Sequence, residues 1–164
     1  MNLEEFFDYK NRLMKDLCSN EEVVSLITDK ESSVVPNRTL SYTQLFPYEF
    51  IPETVDNAQT FVCFDVDIAN VTNKTFYVPV LYIWVFTHKS KMRLPNGGVR
   101  IDMLASKINE LLNGNRFYGL GELDLRQVGR FSPITDYQGR VLTYHAKDFN
   151  RSGSKQPPSN RKSI

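Results

Sequence analysis

The stretch FYVPVLYIWVFTHKSKMRLPNGGVRIDMLASKINELL, residues 76–112, decides the fold: a strand apolar on both sides leads through a glycine-containing turn into an amphipathic helix. Period-two alternation sets Phe76, Val78, Val80, Tyr82, Trp84 and Phe86 on one face and Tyr77, Leu81, Ile83 and Val85 on the other, which predicts burial on both. A chain of this size lays one layer of helix on one side of a sheet. The second face is therefore expected to meet another layer or another subunit. Pro79 removes a backbone donor and belongs at an edge or a bulge. After Pro95, Asn96, Gly97 and Gly98, the residues Ile101, Leu104, Ala105, Ile108, Leu111 and Leu112 keep helical spacing, and Asn113 with Gly114 supplies the stop.

On the N-terminal side, Val62, Phe64, Val66 and Ile68 alternate with Phe61, Cys63, Asp65 and Asp67, which reads as a strand from Thr60, with a hairpin turn at Asn70 to Asn73. Residues 31–57 carry Pro36, Pro47 and Pro52 among Tyr42, Phe46, Tyr48 and Phe50, too broken for a long helix or a central strand. An extended arm held down by its rings is expected there. Further upstream, Asn2 with Glu5 caps a first helix along Leu3, Phe6, Leu13, Met14 and Leu17, and Ser19 with Glu22 caps a second through Val23, Val24, Leu26 and Ile27. On the C-terminal side, two strands near 121–130 and 140–148 are separated by Ser132, Pro133, Asp136 and Gly139. The expected architecture is α+β: a mostly antiparallel four-stranded sheet with helices packed on one face, as one domain over residues 1–150. Residues 151–164 hold Arg151, Lys155, Arg161 and Lys162 without an acid and read as a disordered basic tail.

The 164 residues are 41% hydrophobic and 12% aromatic with a formal net charge of +1, the profile of an ordinary globular protein. No apolar run reaches the roughly 18 residues of a membrane span, and no basic-then-apolar leader opens the chain, so it is expected to work where it is made. Charge is unevenly placed: between Met1 and Glu31 there are eight acids and four bases, against the purely basic end. Cys18 and Cys63 fit no metal spacing and read as buried small hydrophobes.

The residues give little chemistry. Asp65 and Asp67 share one strand face and Glu122 and Asp124 another, so a metal-dependent nuclease on four carboxylates is the enzyme to consider. Such pairs also arise wherever a strand turns polar residues away from a core. His88 and His145 have no partner spacing and read as surface or interface residues. Asn96-Gly97-Gly98 lacks the motif of a phosphate cradle and reads as a turn. Arg93, Arg100, Arg116, Arg126, Arg130 and Arg140 alternate with acids instead of forming one basic stripe, a pattern suited to ion pairs between subunits.

The segments Trp84-Val85-Phe86-Thr87-His88-Lys89, Gly98-Val99-Arg100-Ile101-Asp102, Ile108-Asn109-Glu110-Leu111-Leu112-Asn113-Gly114 and Tyr137-Gln138-Gly139-Arg140, with Tyr144 and Lys147-Asp148-Phe149-Asn150, resemble small neck and tail proteins of tailed bacteriophages, most of all the tail-terminator group. The resemblance spans about residues 60–150. It implies a small α+β subunit, six copies of which form a ring that ends the tail tube and joins it to the head. It implies no enzyme activity, cofactor, metal or membrane. The partners it implies are a second copy of the chain, the tail tube protein and a head-completion or stopper protein, with genomic DNA passing through the lumen. The implied place is the virion neck, reached from the host cytoplasm during assembly. A stopper or head-completion connector of the same neck is the alternative. The residues expected at the subunit interface are Tyr82, Trp84, Phe86, Arg100 and Arg140.

Overall fold

A computed structural model of the chain describes residues 4–29, 40–53, 58–72, 76–116, 118, 121–146 and 148–149. Helices α1 (Glu5–Ser19) and α2 (Glu21–Thr28) precede strands β1 (Leu45–Phe46), β2 (Thr60–Thr72) and β3 (Phe76–His88). A third helix, α3 (Arg100–Leu112), then leads to β4 (Asp124–Phe131), β5 (Tyr137–His145) and β6 (Asp148–Phe149). The strand order is β1-β2-β3-β5-β4, and β6 pairs with β3 off this path. The four long strands pair antiparallel, but β1 runs parallel to β2 through Leu45↔Val62 and Phe46↔Cys63. The sheet is therefore mixed, which corrects the four-stranded antiparallel expectation. The extra strand comes from the segment read as an arm: two residues carry no alternation to read, and Pro47 has no N–H with which to extend the pairing.

All three helices pack on one face of the sheet. Tyr9, Leu13, Leu17 and Cys18 of α1, Val23, Val24 and Ile27 of α2, and Leu104, Ala105, Ile108 and Leu112 of α3 form one core with Val62, Phe64, Val66, Leu81, Ile83, Val85, Leu142 and Tyr144 of the strands. Phe6 and Met14 pack against it half-buried, whereas Asn2 and Leu3, the expected cap and first stripe residue, lie outside the described residues. The second cap is Asn20 and not Ser19: the Asn20 side chain accepts the Val23 N–H at 3.1 Å. Ser19 has already been drawn into α1, its hydroxyl donating to Lys15 O at 2.7 Å. Asn20 has extended backbone angles and a side chain that reaches three residues into the next turn, so it divides the two helices.

β2 runs past the expected turn at Asn70 to Thr72, and Asn73 lies outside the described residues. A bulge falls between Ile68 and Asn70 opposite Pro79, but the proline turns its backbone to the β5 side, where its carbonyl accepts the Ala146 N–H at 3.1 Å just past the last β3–β5 pair, so its missing donor falls at the end of that ladder. Gly139 is not a turn residue but the third residue of β5. A Cβ there would lie 1.9 Å from Val85 O and 2.6 Å from Phe86 Cβ, so only glycine lets β5 approach β3 at this point. The turn before α3 follows the sequence reading, with Gly97 and Gly98 at φ of 87° and 93°. The basic tail, residues 151–164, lies outside the described residues.

Candidate functional site

The face of the sheet away from the helices is built in rows by the strand register. Phe61, Phe86, Gly139 and Phe131 lie side by side, followed by Cys63, Trp84, Val141 and Gly129, and then by Asp65, Tyr82, Thr143 and Gln127. The first row is covered by the chain itself. Phe46, Phe61, Cys63, Phe86 and Tyr137 form a second buried cluster, against which Phe50, Trp84, Phe131 and Ile134 pack. The rings interlock: Phe46 stacks on Phe50 with centroids 4.0 Å apart and Phe61 on Phe86 at 5.3 Å, while Tyr137 meets Phe86 edge-on. Cys63 lies beneath Phe50, and burial pushes its thiol up to about 12, so it stays protonated and inert. The aromatic spacing between Pro47 and Pro52 was the sequence signal for this cover, and it acts within its own domain.

Beyond the arm the cover ends. Tyr82 and Trp84 stack with centroids 5.8 Å apart and an interplanar angle of 19°, and both remain half-buried, as do Val141 and Thr143 beside them. This strip is a patch of aromatic and aliphatic side chain that the sheet leaves partly open. The other expected interface residues fall elsewhere. Phe86 is fully buried within the aromatic cluster. Arg100 is 3% exposed and holds the chain to itself: Nε donates to Lys91 O at 2.7 Å, Nη1 to Leu26 O at 2.8 Å and Nη2 to Asp29 at 2.5 Å. Arg140 is half-buried on the helix side, where it donates to Asp102 at 2.8 Å, and that partner raises its pKa further.

The four carboxylates do not converge. β3 and β5 stand between β2 and β4, so Asp67 and Asp124 are three strand spacings apart, about 14 Å, on either side of Val80 and His145. Three of the four are paired with cations: Asp65 with Lys10 at 2.7 Å, Asp124 with Arg126 at 2.8 Å, and Glu122 with Arg116. No group of three or more metal-ligating side chains gathers among the described residues. His88 accepts the Ser90 N–H through Nδ1 at 3.2 Å and meets the Tyr137 ring edge-on, capping the short 3-10 turn after β3. Sequence reasoning missed a groove of about 400 Å³ between α2 and α3, floored by Leu26, Leu94 and Met103 and rimmed by Glu22, Asp29 and Lys107. Its ends are ion pairs, Lys107 with Glu22 at 2.7 Å and Lys91 with Asp29 at 3.1 Å, so both rim carboxylates are engaged by lysines. No helix among the described residues is long and apolar enough to cross a membrane.

The family model YomW matches residues 10–146, and the chain belongs to this phage-derived family. A search of curated proteins finds no match.

Proposed function

From membership of a phage-derived family and from the half-covered strip on the sheet, we propose that the chain is a structural protein of a tailed-phage virion. In this reading several copies, six in the tail-terminator plan, form a ring at the neck that ends the tail tube and joins tail to head. Its partners are further copies of itself, the tail tube protein and a head-completion protein. DNA passes through the lumen, and the ring assembles in the host cytoplasm.

The observation that carries this reading is the Tyr82–Trp84 stack with Val141 and Thr143, which stays half-exposed in a small domain whose helices all pack on the other face of the sheet. Aromatic pairs of this kind favour interface cores, and a rotational ring buries one such patch against a different patch on the next copy. The test is light scattering on a sizing column, with negative-stain images of the peak. Rings with a central hole, lost on Trp84→Glu while the subunit still melts cooperatively, support the reading. A monomer at high concentration that also fails to bind purified tail tube ends overturns it.

A further inference from the structure

The two edges of the sheet are finished differently. Along a strand, each residue turns its N–H and C=O to one side, and successive residues alternate. The Val62 N–H donates to Gln44 O on the β1 side at 2.8 Å, so Cys63 turns toward Trp84 on β3. By the same alternation Ile83 turns toward Leu142, and Val141 toward Gly129 of β4. That parity leaves Val128 and Arg130 directing their N–H and C=O groups out of the sheet. The β2 edge, in contrast, is blunted. β1 covers Val62 and Cys63, the Asp65 carboxylate accepts the Val66 N–H at 2.8 Å, and Lys10 bridges Asp65 and Pro47 O at 2.7 and 2.9 Å.

The side chains on β4 say what its edge accepts. Arg130 stands opposite Arg140, a like-charge pair that destabilises a ladder. Asp102 neutralises Arg140, and among the described residues no acid pairs with Arg130. Val128, the neighbouring outward residue, is 52% exposed, an unusual aliphatic on an open edge. A bulge between Leu125 and Gln127 confines regular pairing to the last five residues of the strand. An antiparallel second β4 centred on Arg130 would set that arginine against its own copy, whereas an acid opposite it is attracted.

We propose that β4 receives an added strand from a protein partner, an extended segment in which an acidic residue lies two positions from an aliphatic one. The acid meets Arg130, the aliphatic side chain covers Val128, and main-chain bonds to residues 128 and 130 supply the affinity. This proposal is independent of the ring, since it uses neither Tyr82 nor Trp84.

The experiment titrates the full ¹⁵N-labelled chain with the peptide Ac-TVTETVT-NH2 and with its lysine counterpart Ac-TVTKTVT-NH2. The expected result is saturable binding of the glutamate peptide, with shifts and slowed hydrogen exchange at the Val128 and Arg130 amides. The lysine peptide binds about threefold to tenfold more weakly. Val128→Pro removes an outward N–H without touching the β5 ladder and abolishes binding, and Arg130→Glu reverses the preference between the peptides. Four outcomes overturn the proposal: no saturable shift at millimolar peptide, shifts confined to other strands, equal binding of both peptides, or amides at 128 and 130 already protected because copies pair through β4. If Val128→Pro fails to fold, the wild-type titration and Arg130→Glu decide the question.

Discussion

Replacing Arg100 with Met removes the strongest single tie between α2, the 3-10 turn and α3. The guanidinium is 3% exposed and gives three bonds, two to carbonyl oxygens and one to the Asp29 carboxylate. Leu26 O lies in the last turn of α2, where carbonyls have no helical donor, so Arg100 is its partner of necessity. Hydrogen bonds to charged groups contribute about 1.5–3 kcal/mol each, which sets an upper bound of about 9 kcal/mol for three. Two facts lower it: Asp29 keeps Lys91, and the adjoining groove admits water to the freed carbonyls. Methionine also refills most of the volume, so the expected loss is about 3 kcal/mol, within the range for breaking a buried ion pair. For a domain of this length that lowers Tm by roughly 6–12 °C. Arg100→Lys recovers less than half, because an ammonium cannot reach three acceptors set in a fork. Thermal and urea unfolding followed by circular dichroism measure both. A Met variant within 1 °C of wild type would refute the view that Arg100 is spent inside the subunit, and would return it to the candidate interface residues.

Gly139→Val forces a side chain into the Val85 carbonyl and is expected to cost at least 3 kcal/mol or abolish soluble expression, whereas Gly129→Ala, whose nearest neighbour is a Val141 methyl at 3.2 Å, costs about 1 kcal/mol; unfolding curves rank the two. Asn20→Ala removes the cap of α2 and lowers stability by about 1 kcal/mol, while Ser19→Ala changes it little, a comparison that separates the two residues in one urea series. Burial alone would raise the Asp29 carboxyl, but bonds from Lys91 and Arg100 outweigh it and leave it lowered; Asp136 is lowered by its bond from Lys89. Groups depressed in the folded state stabilise above their unfolded pKa, about 3.9, and lose that contribution as pH falls through the folded values. Tm is therefore flat above about pH 5 and falls below pH 4, and Asp29→Asn flattens that fall when melting is followed from pH 7 to pH 3.

The long elements were legible because each repeats its signal. The alternation of β2 and β3 and the spacing of α3 run over thirteen residues each, long enough for one face to declare itself. What failed was short or depended on distant neighbours. β1 has two residues, and the cap of α2 moved by one position because Ser19 found a carbonyl four residues back. Gly139 looks like punctuation in sequence, and only the Phe86 backbone across the ladder shows why it is glycine. Arg100 carries a charge that local pattern places at the surface, yet its three acceptors come from segments nine to 74 residues away.

The two apolar faces of β3 pose the harder question, since alternation predicts that a face is covered without saying by what. Here the cover is divided. Phe46 and Phe50 bury the Phe61–Phe86 end, so that part of the period-two signal belongs to the chain's own arm and carries no message about assembly. The inference to a neighbouring subunit then rests on Tyr82 and Trp84 with Val141 and Thr143, a narrower strip than the sequence suggested. Two of the five residues first expected at an interface, Phe86 and Arg100, are already consumed by the fold. The strip and the β4 edge point in different directions from one sheet: the first offers ring faces with few backbone donors, the second offers backbone donors with a single uncompensated cation. A subunit built to meet copies of itself through one surface and a different chain through the other needs two such chemically distinct contacts, because identical ones would let the two partners compete.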